Sequence, residues 1–225
     1  MAASGITGII LAGGQSRRMG QPKALMPWGD GTLIEQVVET LRPLVDELIV
    51  AVNPHTNTIG VGVKDAPCFR SLNVRVVEDL VPDAHALGGL YTGLKFASHE
   101  RCFVCSCDAP FLNPDLIRFL VEQVDGYDLV VPKTRQGLQP LHAIYATSAL
   151  PAIEEQLRQR QWALSELVGR LRARVVEAEE LRRVDPTGLS FFNLNTPDEY
   201  LRARRLWMRE EAKTVWRGTG VRGGI

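Results

Sequence analysis

Short β-branched runs and longer stretches with apolar residues three and four apart take turns along this chain, the pattern of strands joined by helical crossovers in a mostly parallel sheet. Ile6 to Leu11 reads as the first strand, Thr32 to Leu41 as a helix opened by Thr32 and Glu35 at capping-box spacing, and Leu48 to Val52 as the next strand. After a less regular stretch from Pro54 to Leu72, Val74 to Val77 predicts a third strand and Leu90 to Ser98 a helix. Cys102 to Ser106 is apolar on both faces, as a sandwiched central strand must be. Asn113 followed by Pro114 starts another helix, a cap and then a proline where a missing N–H costs little. Leu129 to Val131, Leu141 to Tyr145 and Arg174 to Val176 extend the sheet, with helices over Ala149 to Arg160 and Ser165 to Leu171. Thr196, Pro197 and Glu199 launch a final helix through about Arg209. No repeat or Gly/Ser/Pro linker divides residues 1–212, which read as one domain, while residues 213–225 have too little apolar periodicity to pack and are expected to form a mobile tail.

Charge and composition narrow the function. With 26 Lys+Arg against 26 Asp+Glu, the chain lacks the electrostatic footprint of a protein that grips nucleic acid through its phosphates. No apolar run nears the roughly 20 residues that cross a bilayer, and the N-terminus has no basic segment followed by a long apolar stretch, so neither membrane nor export is expected and the reading is cytoplasmic. Cys102, Cys105 and Cys107 share one apolar run and read as small buried residues, not as a disulfide framework or a zinc site. His55, His85, His99 and His142 show no metal-ligand spacing and read as surface or partly buried polar residues.

Directly after the first strand comes Leu11-Ala12-Gly13-Gly14-Gln15-Ser16-Arg17-Arg18-Met19-Gly20, with Lys23 close behind. Ligands of open α/β sheets bind at this carboxyl edge. Glycines let backbone N–H groups approach phosphate oxygens, and Arg and Lys add positive charge, so the segment suits a triphosphate. It fits neither G-x-x-x-x-G-K-[ST] nor G-x-G-x-x-G, and an ordinary strand-to-helix turn with solvated arginines is the competing reading.

This loop resembles the signature of the molybdopterin nucleotidyltransferase family, and further segments line up in order. They are Val77-Glu78-Asp79, Gly88-Gly89-Leu90-Tyr91-Thr92-Gly93-Leu94, Cys107-Asp108-Ala109-Pro110-Phe111-Leu112, Gln139-Pro140-Leu141 and Phe192-Asn193-Leu194-Asn195-Thr196-Pro197. The resemblance implies a Rossmann-like three-layer α/β/α nucleotidyltransferase fold with a mostly parallel central sheet. It implies transfer of GMP from GTP to the phosphate of molybdopterin, release of pyrophosphate and formation of the guanine dinucleotide cofactor. In that scheme Leu11, Ala12, Gly13 and Gly14 hold the nucleotide, Arg18 and Lys23 clamp its phosphates, and Asp108 binds Mg2+. Asp79 and Asn53 belong to the nucleotide site, with Asp83 competing with Asp79 because the loop Leu80 to Leu87 departs from the family's glycine-proline run. Asn193 and Asn195 fall near the metal and the pterin, on a strand-like segment that turns both to one face; a turn-forming role for Asn195 competes.

Leu11-Ala12-Gly13-Gly14 favours the guanylyl branch over the cytidylyl branch, which reads L-A-A-G. Of the paired asparagines after the second strand in that branch, Asn53 is present and Ala51 replaces the other, while Pro22 replaces the acidic residue before the loop lysine. A cytidylyl or sugar-phosphate transferase and a non-catalytic nucleotide-sensing or partner-binding domain are the alternatives. The partners implied are GTP and molybdopterin, with transient contact to molybdoenzymes or cofactor-pathway proteins. Trp207, Met208 and Trp216 suggest a docking surface on one reading; on the other, Trp207 continues a core stripe with Tyr200 and Ala203.

Overall fold

Neighbouring side chains of the first strand, β1 (Ile6–Leu11), point to opposite faces and both faces are buried: Ile9 and Leu11 enter one apolar cluster, Ile10 the other. A strand buried on both sides needs helices above and below it. In the computed structural model, which describes residues 5–14, 19, 21–55, 57–58, 61–62, 69 and 71–208, the chain supplies both layers. After β1 come α1 (Leu33–Leu41), β2 (Glu47–Val52), β3 (Arg75–Glu78), α2 (His85–Phe96), β4 (Arg101–Ser106), α3 (Pro114–Glu122) and β5 (Leu129–Thr134). Then follow β6 (Gly137–Leu138), β7 (His142–Ala146), α4 (Leu150–Arg158), α5 (Leu164–Leu167), β8 (Ala173–Val176), α6 (Ala178–Val184) and α7 (Pro197–Met208).

The sheet order is β6-β5-β7-β4-β1-β2-β3, with β8 paired to β5. Strands β3, β2, β1 and β4 are mutually parallel, and β8 is parallel to β5. Strand β7 runs antiparallel to both β4 and β5. Ile9 thus lies between Ile49 of β2 and Val104 of β4, in mid-sheet. Helices α1 and α3, with Leu181 of α6, cover the face carrying Ile10, Val50 and Phe103; α2, α4 and α5 cover the face carrying Ile9, Ile49 and Val104. Each fully buried Ile or Leu contributes roughly 1.5–3 kcal/mol, so two-sided burial fixes β1 at the centre. This is the three-layer class that the sequence implied.

A third apolar cluster joins Met26, Trp28, Leu33, Phe111, Leu194 and Ala203, with Tyr200 and Trp207 packed against it. The Trp28 and Trp207 rings lie 5.4 Å apart, and the Tyr200 hydroxyl donates to Pro27 O at 2.6 Å. The α7 stripe is therefore core. No described helix is long and apolar enough to cross a membrane.

Several sequence expectations shift. Helix α2 begins at His85, well before Leu90, because Gly88 and Gly89 act here as contact residues and not as breakers. Helix α4 stops at Arg158, followed by Arg160 at φ +54°, and α5 is shorter than expected. Helix α6, opened by a reciprocal cap between Glu177 and Glu180, had no counterpart in the periodicity. Asn193 to Asn195 is irregular backbone, not a strand. His142 is 3% exposed, a core residue and not a surface one. Cys102, Cys105 and Cys107 are free and buried. Arg18, Trp216 and residues 213–225 lie outside the described residues.

Candidate active site

The parallel ladder continues past the ends of its strands and so fixes the loop that follows β1. Ala12 N–H donates to Ala51 O at 2.8 Å, and Cys107 N–H donates to Leu11 O at 3.1 Å. The two adjacent glycines then serve different ends. A Cβ on Gly13 would stand 3.0 Å from Asn53 Cβ and 3.1 Å from Asn53 N, so glycine permits the close approach to the end of β2. A Cβ on Gly14 would meet nothing within 4 Å, because this residue opens onto a cleft.

That cleft, about 770 Å³, runs along the carboxyl edge of the sheet. Its size is that of a small-molecule or cofactor site. Leu11, Ala12, Gly13 and Gly14 form its floor, Lys23 and Asp108 lie on the β4 side, and Asn53 and Asp79 on the β2–β3 side. Asn193 and Asn195 also line it, while buried Leu194 between them enters the third apolar cluster. Alternation thus survives without a strand.

Lys23 and Asp108 come together. Lys23 Nζ donates to Asp108 Oδ2 at 2.6 Å, and the side chains are only 17% and 12% exposed. Lys23 Nζ also donates to Asn195 Oδ1 at 2.9 Å, and Ser106 Oγ donates to Asp108 Oδ1. Leu194 N–H donates to Asp108 O at 3.1 Å, which draws the segment before α7 to the end of β4. The cap of α7 completes the frame: Asn195 N–H and Thr196 N–H donate to Glu199 Oε2 at 2.8 and 2.9 Å. Asn195 is thus a partner of the loop lysine.

On the other flank, Asp79 N–H donates to Val52 O at 2.9 Å. Asp79 Oδ1 accepts from Val81 N–H at 2.9 Å and from Thr92 Oγ1 at 3.0 Å. Burial raises the pKa of this carboxyl, partly offset by those two donors. Asn53 Nδ2 donates to Pro82 O at 3.0 Å and Asn53 Oδ1 accepts from His55 N–H at 2.8 Å, so this amide pins the loop beside the cleft. Asp83 lines the cleft too. Ser106, His55 and His85 line it and carried no sequence signal beyond their position near the ends of strands or at the start of α2.

The thiolate forms of Cys105 and Cys107 are disfavoured by burial. Burial pushes Cys107 up to about 12, and Cys105 well above its ordinary value. Among the described residues no group of three or more His, Cys, Asp and Glu could hold a metal. Asp108 is a hard carboxylate lining the same cleft as the Gly13–Gly14 turn, a ligand type that fits Mg2+, which takes most of its ligands from water and substrate phosphates.

Residues 8–175 match the MobA-like NTP transferase domain. The chain is 37% identical over 210 residues to a probable molybdenum cofactor guanylyltransferase of Pelotomaculum thermopropionicum, spanning 93% of this chain and 97% of that protein. It is 34% identical over 200 residues to the molybdenum cofactor guanylyltransferase of Desulfosudis oleivorans, spanning 88% and 94% of the two. Among solved structures it is similar to molybdopterin-guanine dinucleotide biosynthesis protein A of Archaeoglobus fulgidus, with a TM-score of 0.74 and 28% identity over 89% of this chain and 97% of that one. A 4-diphosphocytidyl-2C-methyl-D-erythritolsynthase of Anaerococcus prevotii shares the fold at a TM-score of 0.69 and 15% identity, over 92% and 99%. From the ladder-held glycine turn to the cleft beside it, the chain belongs to the MobA-like NTP transferase family.

Proposed function

We propose that this chain transfers GMP from GTP to the terminal phosphate of molybdopterin and releases pyrophosphate. The observation that carries the reading is the cluster of Lys23, Asp108 and Asn195 beside the Ala12–Gly14 turn. A phosphate of the acceptor is largely ionised at neutral pH, so its oxygen needs no protein base to attack the α-phosphorus. One P–O bond forms there as the bond to the β-phosphate oxygen breaks, and pyrophosphate leaves with that electron pair. Charge is the obstacle, since two anions must meet while negative charge builds on the leaving group.

Lys23 and Asp108 form an ion pair at the edge of the cleft. Lys23 and Arg18 supply positive charge to the phosphate oxygens of the nucleotide. Asp108 is the carboxylate that would hold Mg2+, which would supply charge to offset the repulsion between the phosphates. Leu11 to Gly14 hold the nucleotide through the backbone, and Asn193 lies on the acceptor side.

The test is incubation of the purified protein with molybdopterin, Mg2+ and labelled GTP or CTP, followed by assay of pyrophosphate. Release with GTP and molybdopterin together is expected. Release with CTP alone would overturn the guanylyl assignment, and release with neither would overturn transfer to molybdopterin.

A further inference from the structure

His85 has φ +54° and ψ −134°, a region in which a side chain is strained and glycine is the ordinary occupant. The loop before it is held from several directions. Asn53 Nδ2 donates to Pro82 O at 3.0 Å, Ala84 N–H donates to Val81 O at 3.0 Å, and Leu80 N–H donates to Thr92 Oγ1 at 2.9 Å. Gly88 lies so close beneath that a Cβ there would stand 2.2 Å from Val81 O. The surroundings can therefore hold a strained residue, but they do not explain why it is histidine. Its place in the cleft does: His85 is exposed and lines the flank opposite Lys23 and Asp108.

We propose that His85 is a specificity residue whose imidazole contacts the base of the bound nucleoside triphosphate. This rests on the nucleotide-transfer reading above. From β4, which leads to Asp108, to β3, which leads to Asp79, there are three inter-strand steps, roughly 14 Å, enough for a nucleotide laid across the strand ends. With the triphosphate at Lys23, the base falls on the flank of Asn53 and His85. There an imidazole supplies a flat face, one donor and one acceptor, whereas Asn53 is already engaged with Pro82 and His55. Here backbone strain accompanies a functional side chain, as it does at many binding sites.

The test compares the intact protein with H85G and H85A, measuring Kd by calorimetry for GTP, CTP and inorganic tripolyphosphate in Mg2+, together with Tm. H85G relieves the strain and H85A keeps it; both remove the ring. Both are expected to weaken GTP about tenfold and leave tripolyphosphate within about twofold, as loss of a contact confined to the base requires. H85G alone should raise Tm, by roughly 1–5 °C, strain relief exceeding the entropic cost of glycine. Unchanged GTP affinity in both variants would overturn the proposal while leaving nucleotide binding intact. Equal losses for GTP and tripolyphosphate, or a lower Tm in H85G, would overturn it in favour of a structural role. Wild-type protein that binds CTP and not GTP, with the same loss in H85G, would overturn the guanylyl reading and uphold His85. Wild-type protein that binds neither nucleotide would overturn both.

Discussion

Lys23 and Asp108, 85 positions apart in the chain, meet at 2.6 Å in a pair mostly sheltered from water. The pair sets one fixed positive and one fixed negative charge side by side at the cleft, the two signs that a phosphate and a cation require. Asp108→Ala is expected to lower kcat by roughly 10²–10³ while GTP Kd changes less than about fivefold, because charge stabilisation matters most in the transition state. Turnover within threefold of wild type in Mg2+ would remove Asp108 from the chemistry. Lys23→Ala should raise GTP Kd by about tenfold or more, through loss of a sheltered phosphate contact; isothermal titration reads this directly. That Asp108 was available for such a role was legible, because Asn113 supplies the next cap, accepting from Asp115 and Leu116 N–H. The bond from Lys23 to Asn195 was not legible, since it spans 172 positions and depends on where α7 docks. Nor was the strain at His85, because a residue's name does not carry its dihedral angles.

At the scale of elements, helix α2 sets one wall of the cleft, and its two glycine contacts differ in kind. A Cβ on Gly93 would stand 2.4 Å from Ile9 Cγ2, a side-chain atom of the buried central strand; one on Gly88 would stand 2.2 Å from Val81 O, a backbone atom. A side chain can adjust by changing rotamer, whereas a backbone oxygen moves only with its loop. Gly93→Ala should therefore cost about 1–3 kcal/mol in urea unfolding and leave GTP binding unchanged. Gly88→Ala should cost as much or more and also weaken GTP by about tenfold, because displacing Val81 disturbs the loop that holds Asp79 and Asn53. Equal GTP affinity in the two variants would disconnect that loop from the site. Glycine is about 1 kcal/mol less favourable than alanine in a helix interior, so Gly88 and Gly89 weaken the local helix signal in the first turns of α2, which the structure starts at His85. The strands were clearer, since runs such as Cys102 to Ser106 are apolar on both faces only if two helical layers cover them.

Across the whole molecule, the layers and the mostly parallel sheet were legible from the alternation of strands and helices, whereas the reversed direction of β7 was not, because a period of two is the same whichever way a strand runs. Antiparallel β7 begins at His142, and the ring lies 5.3 Å from Phe103 and 4.9 Å from Phe191, with neither nitrogen hydrogen-bonded among the described residues. Burial lowers its pKa from the ordinary 6.5 to about 3. The unfolded chain therefore binds a proton that the folded chain refuses, and stability falls as pH drops from 6.5 toward 3, by about 1.4 kcal/mol per unit. Glu47, Glu179, Glu180 and Asp128 are all held below their ordinary values of 4.5 or 3.8, so their stabilisation is lost only at lower pH. Asp79, raised by burial, acts with the opposite sign, and its contribution cancels when two variants that share it are compared. His142→Phe keeps the ring contacts and removes two unpartnered polar atoms, so it should be more stable by about 1–2 kcal/mol at pH 7.5. Its advantage should widen by about 2 kcal/mol at pH 5, as the wild type loses stability through this one group. Urea unfolding of both proteins at the two pH values measures the difference, and parallel pH profiles would show that the buried histidine finds a partner.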